Sequence, residues 1–217
     1  MKSDLQLQQD VMDELLWEPA LEAAEIGVSV KEGVVTLSGN VNSYSKKLAA
    51  EKAAKRVKDV NAVAVDIHIK LSSEEKRTDE DIAKAAMDAL LWNTFVPAGH
   101  VKVQVDNGWI TLDGELEWQY QKDAAVNAVK DLQGVRGVSN LVQLRPGPTG
   151  VIVKDHIKKA LERIADVEAD RIDIITEGRS ITVKGKVRSW SERSEVERAV
   201  WATPGVWSVK DELVIAP

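Results

Sequence analysis

Three copies of one short segment, Thr36-Leu37-Ser38-Gly39, Thr111-Leu112-Asp113-Gly114 and Thr182-Val183-Lys184-Gly185, stand 75 and then 71 residues apart in this chain. The first spacing also carries Leu15-Leu16-Trp17 onto Leu90-Leu91-Trp92, and Val60 and Val63 onto Val135 and Val138. Ile67 and Ile69 fall on Val142 and Leu144. The second spacing continues these series to Val206, Val209, Leu213 and Ile215. A period of this length is the mark of a repeated supersecondary unit, so any function must be one that such units supply singly or as an array. The 217 residues divide into candidate domains at 1–71, 77–145 and 151–217. Units of this size bury roughly 60% of their unfolded surface, which makes contacts between neighbours relevant to stability.

Each unit begins with a helix. Ser3, Thr78 and Thr149 stand where a side-chain oxygen can cap free backbone N–H groups, and an Asp follows the first two. Leu7, Val11 and Leu15 recur as Ile82, Ala86 and Leu90, then as Val153, Ile157 and Leu161, four apart along one helical face that belongs to a core. Alternating residues follow: Ile26, Val28 and Val30, then Val101, Val103 and Val105, then Ile172, Ile174 and Thr176. They mark a strand with one covered face. Turns at Glu32-Gly33, Asn107-Gly108 and Glu177-Gly178 reverse the chain. The return strand should bury Val35, Leu37 and Val41, or Ile110, Leu112 and Leu116, or Ile181, Val183 and Val187. Gly39, Gly114 and Gly185 share that inward parity, where a glycine points to close approach of a helix or to a bulge.

A second helix starts near Ser43, Trp118 and Ser189, and Ser189 with Glu192 has the spacing of a capping box. Its inward residues are small: Ala50, Ala53 and Ala54, then Ala125, Ala128 and Val129, then Val196, Ala199 and Val200. A left-handed residue is expected at Asp59, Gly134 or Gly205, before the last short strand. The fold class is therefore α+β, with three tandem αββαβ modules, each a three-stranded mixed sheet carrying two helices on one face. Pro146-Gly147-Pro148-Thr149-Gly150 reads as a hinge and 72–76 as a linker.

Three αββαβ copies, each with a glycine on the second strand, a small-residue second helix and a Val-x-x-Val leading into the last strand, resemble tandem BON domains, the family named for bacterial osmotically inducible and nodulation proteins. The resemblance covers nearly the whole chain. It implies a non-enzymatic bacterial module of stress and envelope responses, attached to phospholipid membranes or to partner proteins. The chain departs from the common pattern in having three copies, and its first residues do not read as a secretion signal.

Composition narrows the function further. There are no cysteines, which excludes disulfides, thiolate metal sites and cysteine nucleophiles. The first ten residues lack the apolar core of a signal peptide and no stretch has the length of a membrane span, so a cytoplasmic protein without a transmembrane segment is expected unless a leader was removed. The net charge of -6 is uneven: 9 basic against 11 acidic residues over 1–71, 8 against 12 over 72–145, and 12 against 12 over 146–217. No stretch is a basic nucleic-acid footprint. His68, His100 and His156 occupy unrelated places in the repeat, and neither a nucleophile elbow nor a phosphate loop is present. No catalytic residue, cofactor or metal site is expected, and Asp79-Glu80-Asp81 reads as a solvated helix start.

The outward side of each return strand is free of core duties. It reads Thr36, Ser38, Asn40 and Asn42 in the first unit, Thr111, Asp113, Glu115 and Glu117 in the second, and Thr182, Lys184, Lys186 and Arg188 in the third. The acidic ribbon Asp113, Glu115 and Glu117 and the basic ribbon read first as mixed-sign surfaces that keep the chain soluble; the sharper alternative is that, being complementary, they meet within one molecule or through self-association. Of the seven tryptophans, Trp17 and Trp92 are expected to close the open end of their cores, whereas Trp109, Trp190 and Trp207 are candidates for a binding surface. Ile175 and Val214 lie on the outward parity beside the basic ribbon, so the third unit is the expected contact surface for an anionic phospholipid membrane or an acidic protein partner. A sensor holding an ion or small ligand between modules is the alternative.

Overall fold

The computed structural model describes residues 2–21, 25–72, 76–145, 154–164, 167–203 and 206–216. Two compact units are distinguished, Met1–Ala54 with Ala62–Arg145, and Pro146–Pro217 with Lys55–Asn61. In the first unit the order is α1 (Asp4–Leu16), β1 (Ile26–Lys31), β2 (Val34–Val41), α2 (Tyr44–Arg56) and β3 (Ala62–Ile69), then α3 (Asp79–Trp92), β4 (Val101–Asp106), β5 (Trp109–Leu116), α4 (Gln119–Val129), β6 (Gly137–Asn140) and β7 (Gln143–Leu144). The second unit continues with α5 (Lys154–Glu162), a 3-10 turn (Ala169–Arg171), β8 (Ile172–Glu177), β9 (Ser180–Val187), α6 (Trp190–Trp201) and β10 (Ser208–Ile215). The α+β class and the αββαβ repeat are as the sequence predicts. Thr149, Val153, Gly205 and the hinge at 146–150 lie outside the described residues.

Each sheet has the return strand in the middle. It pairs antiparallel with the strand before it, Val28 opposite Leu37, Val103 opposite Leu112 and Ile174 opposite Val183. It pairs parallel with the last strand, Gly39 opposite Ile67 and Gly185 opposite Leu213. In the middle module the last strand is broken, β6 and β7 pairing separately with β5. A hairpin turn can make the antiparallel pair, but a parallel pair needs a crossover, and the second helix is that crossover. Ala50, Ala53 and Ala54 are fully buried, as are Ala125, Val129, Val196 and Val200, so small side chains bring the crossover helix down onto the strands. Val11, Ala86 and Ile157 of the first helices complete the three cores.

Local signals fix the joints. Ser3 with Gln6 and Thr78 with Asp81 form reciprocal capping boxes. The Asp after each cap does something further. Asp4 accepts the N–H groups of Glu32 and Gly33 at 2.9 and 3.2 Å, and Asp79 those of Asn107 and Gly108, both at 2.8 Å. Both residues of each turn have positive φ, so these N–H groups face outward together and one carboxylate takes both. At the end of α6's entry, Ser189 accepts from the Glu192 N–H as expected, but Glu192 does not close a capping box. Its carboxylate is buried and takes the N–H groups of Arg188 and Glu168 instead. Asp59 and Gly134 are left-handed, as expected.

Gly39, Gly114 and Gly185 are not explained by a helix or by a bulge in the β1–β2, β4–β5 or β8–β9 pairing, whose register runs straight through to them. Their φ values are 129, 139 and 138°. A Cβ would lie 2.1, 2.0 and 2.1 Å from the carbonyl oxygens of Glu25, His100 and Arg171, the residues just before the hairpin's first strand. Neither that conformation nor that approach is open to a side chain.

Within the first unit, Tyr44 at the start of α2 packs against the core of the middle module and forms a hydrogen bond with the Val138 backbone. Ser45 donates to Asp131 at 2.6 Å. Burial holds the Tyr44 phenol above its ordinary value, the Val138 bond offsets this in part, and Glu51 adds to the rise. A raised phenol favours the folded state fully below the unfolded tyrosine value, and that contribution fades as pH rises through the folded one.

Gly114→Ala should cost about 2–4 kcal/mol of unfolding free energy, read by urea denaturation. Tyr44→Ala should cost about 1–2 kcal/mol and remove the alkaline loss assigned to the phenol, read by melts across the alkaline range.

Candidate functional site

The surface expected from sequence is the outward side of the third module's sheet, and the register shows what it brings together. Across β8, β9 and β10 one row holds Ile175, Thr182 and Lys210, the next Asp173, Lys184 and Glu212, and a third pairs Lys186 with Val214. Ile175 and Val214 are exposed, at 41% and 59%, but they lie at opposite ends of the face with a charged row between them. They do not form one apolar patch.

The basic ribbon is compensated from within the module. Lys184 pairs with Glu212 at 3.0 Å, and Lys210 with the same carboxylate at 2.6 Å. Arg188 lies 3.2 Å from Glu168 and 3.4 Å from Glu192. Lys186 makes no ion pair among the described residues. Hydrogen bonds first from Lys210 and then from Lys184 hold the Glu212 carboxyl below the ordinary glutamate value. The shift is downward, so the pairing is complete above the unfolded carboxyl value and lost only as pH falls through the lower folded one.

In the acidic ribbon of the middle module, Asp113 and Glu115 have partners within the module. Asp113 accepts the Gly114 N–H at 2.8 Å, and Glu115 pairs with Arg145 at 2.8 Å. Glu117 follows the end of β5, and its N–H goes to Gln121.

The candidate tryptophans separate into different roles. Trp109 lies on the outward face of its sheet, its ring over Gly137 and its Nε1 donating to Ser139 at 2.8 Å. It fills the space that a glycine leaves on the neighbouring strand. Trp190 opens α6 with the Arg193 guanidinium 5.2 Å from its ring, on the helix that covers the core face. Trp207 sits beside the β8–β9 turn, its N–H donating to the Arg179 carbonyl at 3.0 Å. Within the third module Trp190, just past the end of β9, and Trp207, beside its start, stand at opposite ends of the sheet.

Trp17 and Trp92 correct the sequence reading outright: they are 82% and 84% exposed and close no core. Each stands two residues past the last inward leucine, Leu15 or Leu90. At 100° per residue that turns it about 200° away from the buried stripe. In the middle module the open end is closed instead by Val96, from the loop after α3.

A cleft of about 310 Å³ in the first unit is lined by Leu71, Lys76, Arg77, Asp79, Asn107, Gly108, Gly134 and Arg136. Asp79 already serves the hairpin turn there. Among the described residues no group of three or more His, Asp or Glu is placed to hold a metal ion, and no helix is long and apolar enough to cross a membrane.

The sequence model of the BON domain matches residues 3–70, 78–146 and 151–217, which is nearly all of the chain. The chain belongs to the BON domain family. It is 32% identical over 124 residues to the osmotically-inducible protein Y of Escherichia coli (strain K12), an alignment covering 55% of this chain and 62% of that protein. It is 30% identical over 123 residues to the 21 kDa hemolysin of Actinobacillus pleuropneumoniae, covering 56% of this chain and 63% of the relative. Less than two thirds of either relative is thus spanned. A structural protein of the type III secretion system of Chlamydia trachomatis superposes over 98% of this chain and 93% of that one, with 15% identity and a TM-score of 0.26, too low to bear on this BON protein.

Replacing Glu212 by Gln removes the shared partner of Lys184 and Lys210. Retention of the chain on phosphatidylglycerol vesicles at low salt should rise at least threefold in sedimentation; no change would mean that Glu212 does not mask the ribbon.

Proposed function

We propose that this chain is a non-enzymatic BON-domain binding protein of a bacterial osmotic-stress or envelope response, and that its target is a protein more than an anionic phospholipid membrane. Three modules with one core design carry different outward side chains, and a scaffold that keeps its core while varying its surface is suited to recognition. The relation to an osmotically inducible protein supports the stress setting.

The observation that carries the choice of target is the pairing of Lys184 and Arg188 with the module's own carboxylates. Binding to anionic lipid gains about 1 kcal/mol for each basic residue near the surface, and a lysine already shared with a glutamate forfeits much of that. Ordered ion pairs leave shape and register for a folded partner to read, which suits protein recognition.

A photocrosslinking residue in place of Lys186, in cells shifted to high osmolarity, should give a discrete protein adduct whose yield rises after the shift. Lipid adducts alone, or no adduct at Lys186 and none at the equivalent Asn40 and Glu115, would overturn the reading.

A further inference from the structure

The first helices of the first two modules agree at five of six positions over Met12-Asp13-Glu14-Leu15-Leu16-Trp17 and Met87-Asp88-Ala89-Leu90-Leu91-Trp92, Glu14 standing against Ala89. Only the first of the paired leucines enters the core. Met12, Leu16 and Trp17, and likewise Met87, Leu91 and Trp92, are exposed, with the two outer leucines at 69% and 68%. Met and Leu four residues apart lie side by side on the helix, and on the adjoining row the indole lies beside the aspartate four residues before it, Trp17 with Asp13 and Trp92 with Asp88. The acidic Asp13 and Asp88 are exposed beside them.

The third module shows that the fold does not ask for this. Its equivalent segment is Lys158-Lys159-Ala160-Leu161-Glu162-Arg163. Leu161 keeps the core position and is fully buried, while charged residues take the places of Met, Asp, outer Leu and Trp. The same helix on the same kind of sheet therefore tolerates a wholly polar outer face. Two large exposed apolar clusters repeated residue for residue are not a by-product of packing.

Charge indicates what covers them. On α1 and just after it the ionised groups are Asp4, Asp10, Asp13, Glu14 and Glu18, and the basic Lys2 is already paired with Asp10 at 2.6 Å. On α3 they are Asp79, Glu80, Asp81 and Asp88, with Lys84 paired to Glu80 at 2.6 Å. An apolar cluster with a carboxylate rim repels an anionic membrane and repels its own copy. It complements a segment that offers apolar side chains and free cations together.

We propose that α1 and α3 each dock a basic amphipathic helix of a partner protein, its apolar side chains against Met, Leu and Trp and its Lys or Arg against Asp13 or Asp88. This deepens the reading of the chain as a protein-binding BON array, on which it rests. It places the contact on the helices of the first two modules and gives one chain two equivalent sites, so a partner with two such segments gains avidity.

The test is calorimetric titration of the full chain with a synthetic amphipathic Leu/Lys helix. Its controls are a scrambled peptide of equal composition and a Leu/Glu helix. The wild type should take up two Leu/Lys helices per chain in a salt-sensitive manner and neither control. Grafting the third module's residues into the first (Met12→Lys, Asp13→Lys, Leu16→Glu and Trp17→Arg) should leave one site. The matching graft Met87→Lys, Asp88→Lys, Leu91→Glu and Trp92→Arg in the same chain should leave none, a loss of at least tenfold in affinity. The melt should stay cooperative in both, because the third module already folds with these residues; Trp17→Ala with Trp92→Ala provides a milder second variant, expected to weaken both sites at least threefold. No uptake by the wild type, uptake undiminished in the double graft, or retention on phosphatidylcholine vesicles without uptake of the peptide would overturn the assignment. Each of these leaves the Lys186 crosslink unaffected, so a failure of the helix sites is distinguishable from a failure of the protein-binding reading.

Discussion

The parallel pairing of the middle strand with the last strand is what each module is built around. Two strands running the same way cannot be joined by a turn, so the chain must cross over the sheet, and the crossover becomes the second helix. Once that helix lies on one face, with alanines and valines at Ala50, Ala53, Ala54, Ala125, Val129, Val196 and Val200 to let it settle, the buried side of every strand is decided. The first helix joins it there, and the other face is left to side chains without a part in the core.

The backbone pays one cost for this compactness at the end of each hairpin. The carbonyls of Glu25, His100 and Arg171 come within about 2 Å of where a Cβ would stand on the middle strand, and a glycine in an extended positive-φ conformation is the available solution. The carboxylates of Asp4 and Asp79 secure the other end of the hairpin by taking two turn N–H groups each. The equivalent place in the third module holds Gly150, which carries no carboxylate, so in sequence this second anchor belongs to the first two modules.

Repetition supplies an internal comparison. Positions that hold the same chemistry in all three modules, such as Leu37, Leu112 and Val183, are core, whereas positions that change freely are surface. The outer face of the first helix belongs to neither class. It is matched in two modules, apolar and exposed, and replaced by charge in the third. That combination separates a surface kept for contact from one kept for solubility. It also redirects attention from the third module's basic ribbon, whose Lys184 and Arg188 are already engaged with Glu212, Glu168 and Glu192.

The sequence by itself determined the number of modules, the order of their elements and the inward face of each strand and helix. These follow from periodicity and from capping and turn residues, whose causes lie within a few positions along the chain. It did not determine how far around the helix Trp17 and Trp92 would turn, which partner Glu192 would choose, or whether Lys184 would stand bare. Trp17 and Trp92 lie beyond the last residue of their stripes, where the pattern no longer constrains them, and the core is closed from a loop by Val96. Glu192 and Lys184 find their partners across strands and turns. Only the tertiary structure decides such matters, because exposure and ionic pairing depend on groups that folding brings together from distant parts of the chain.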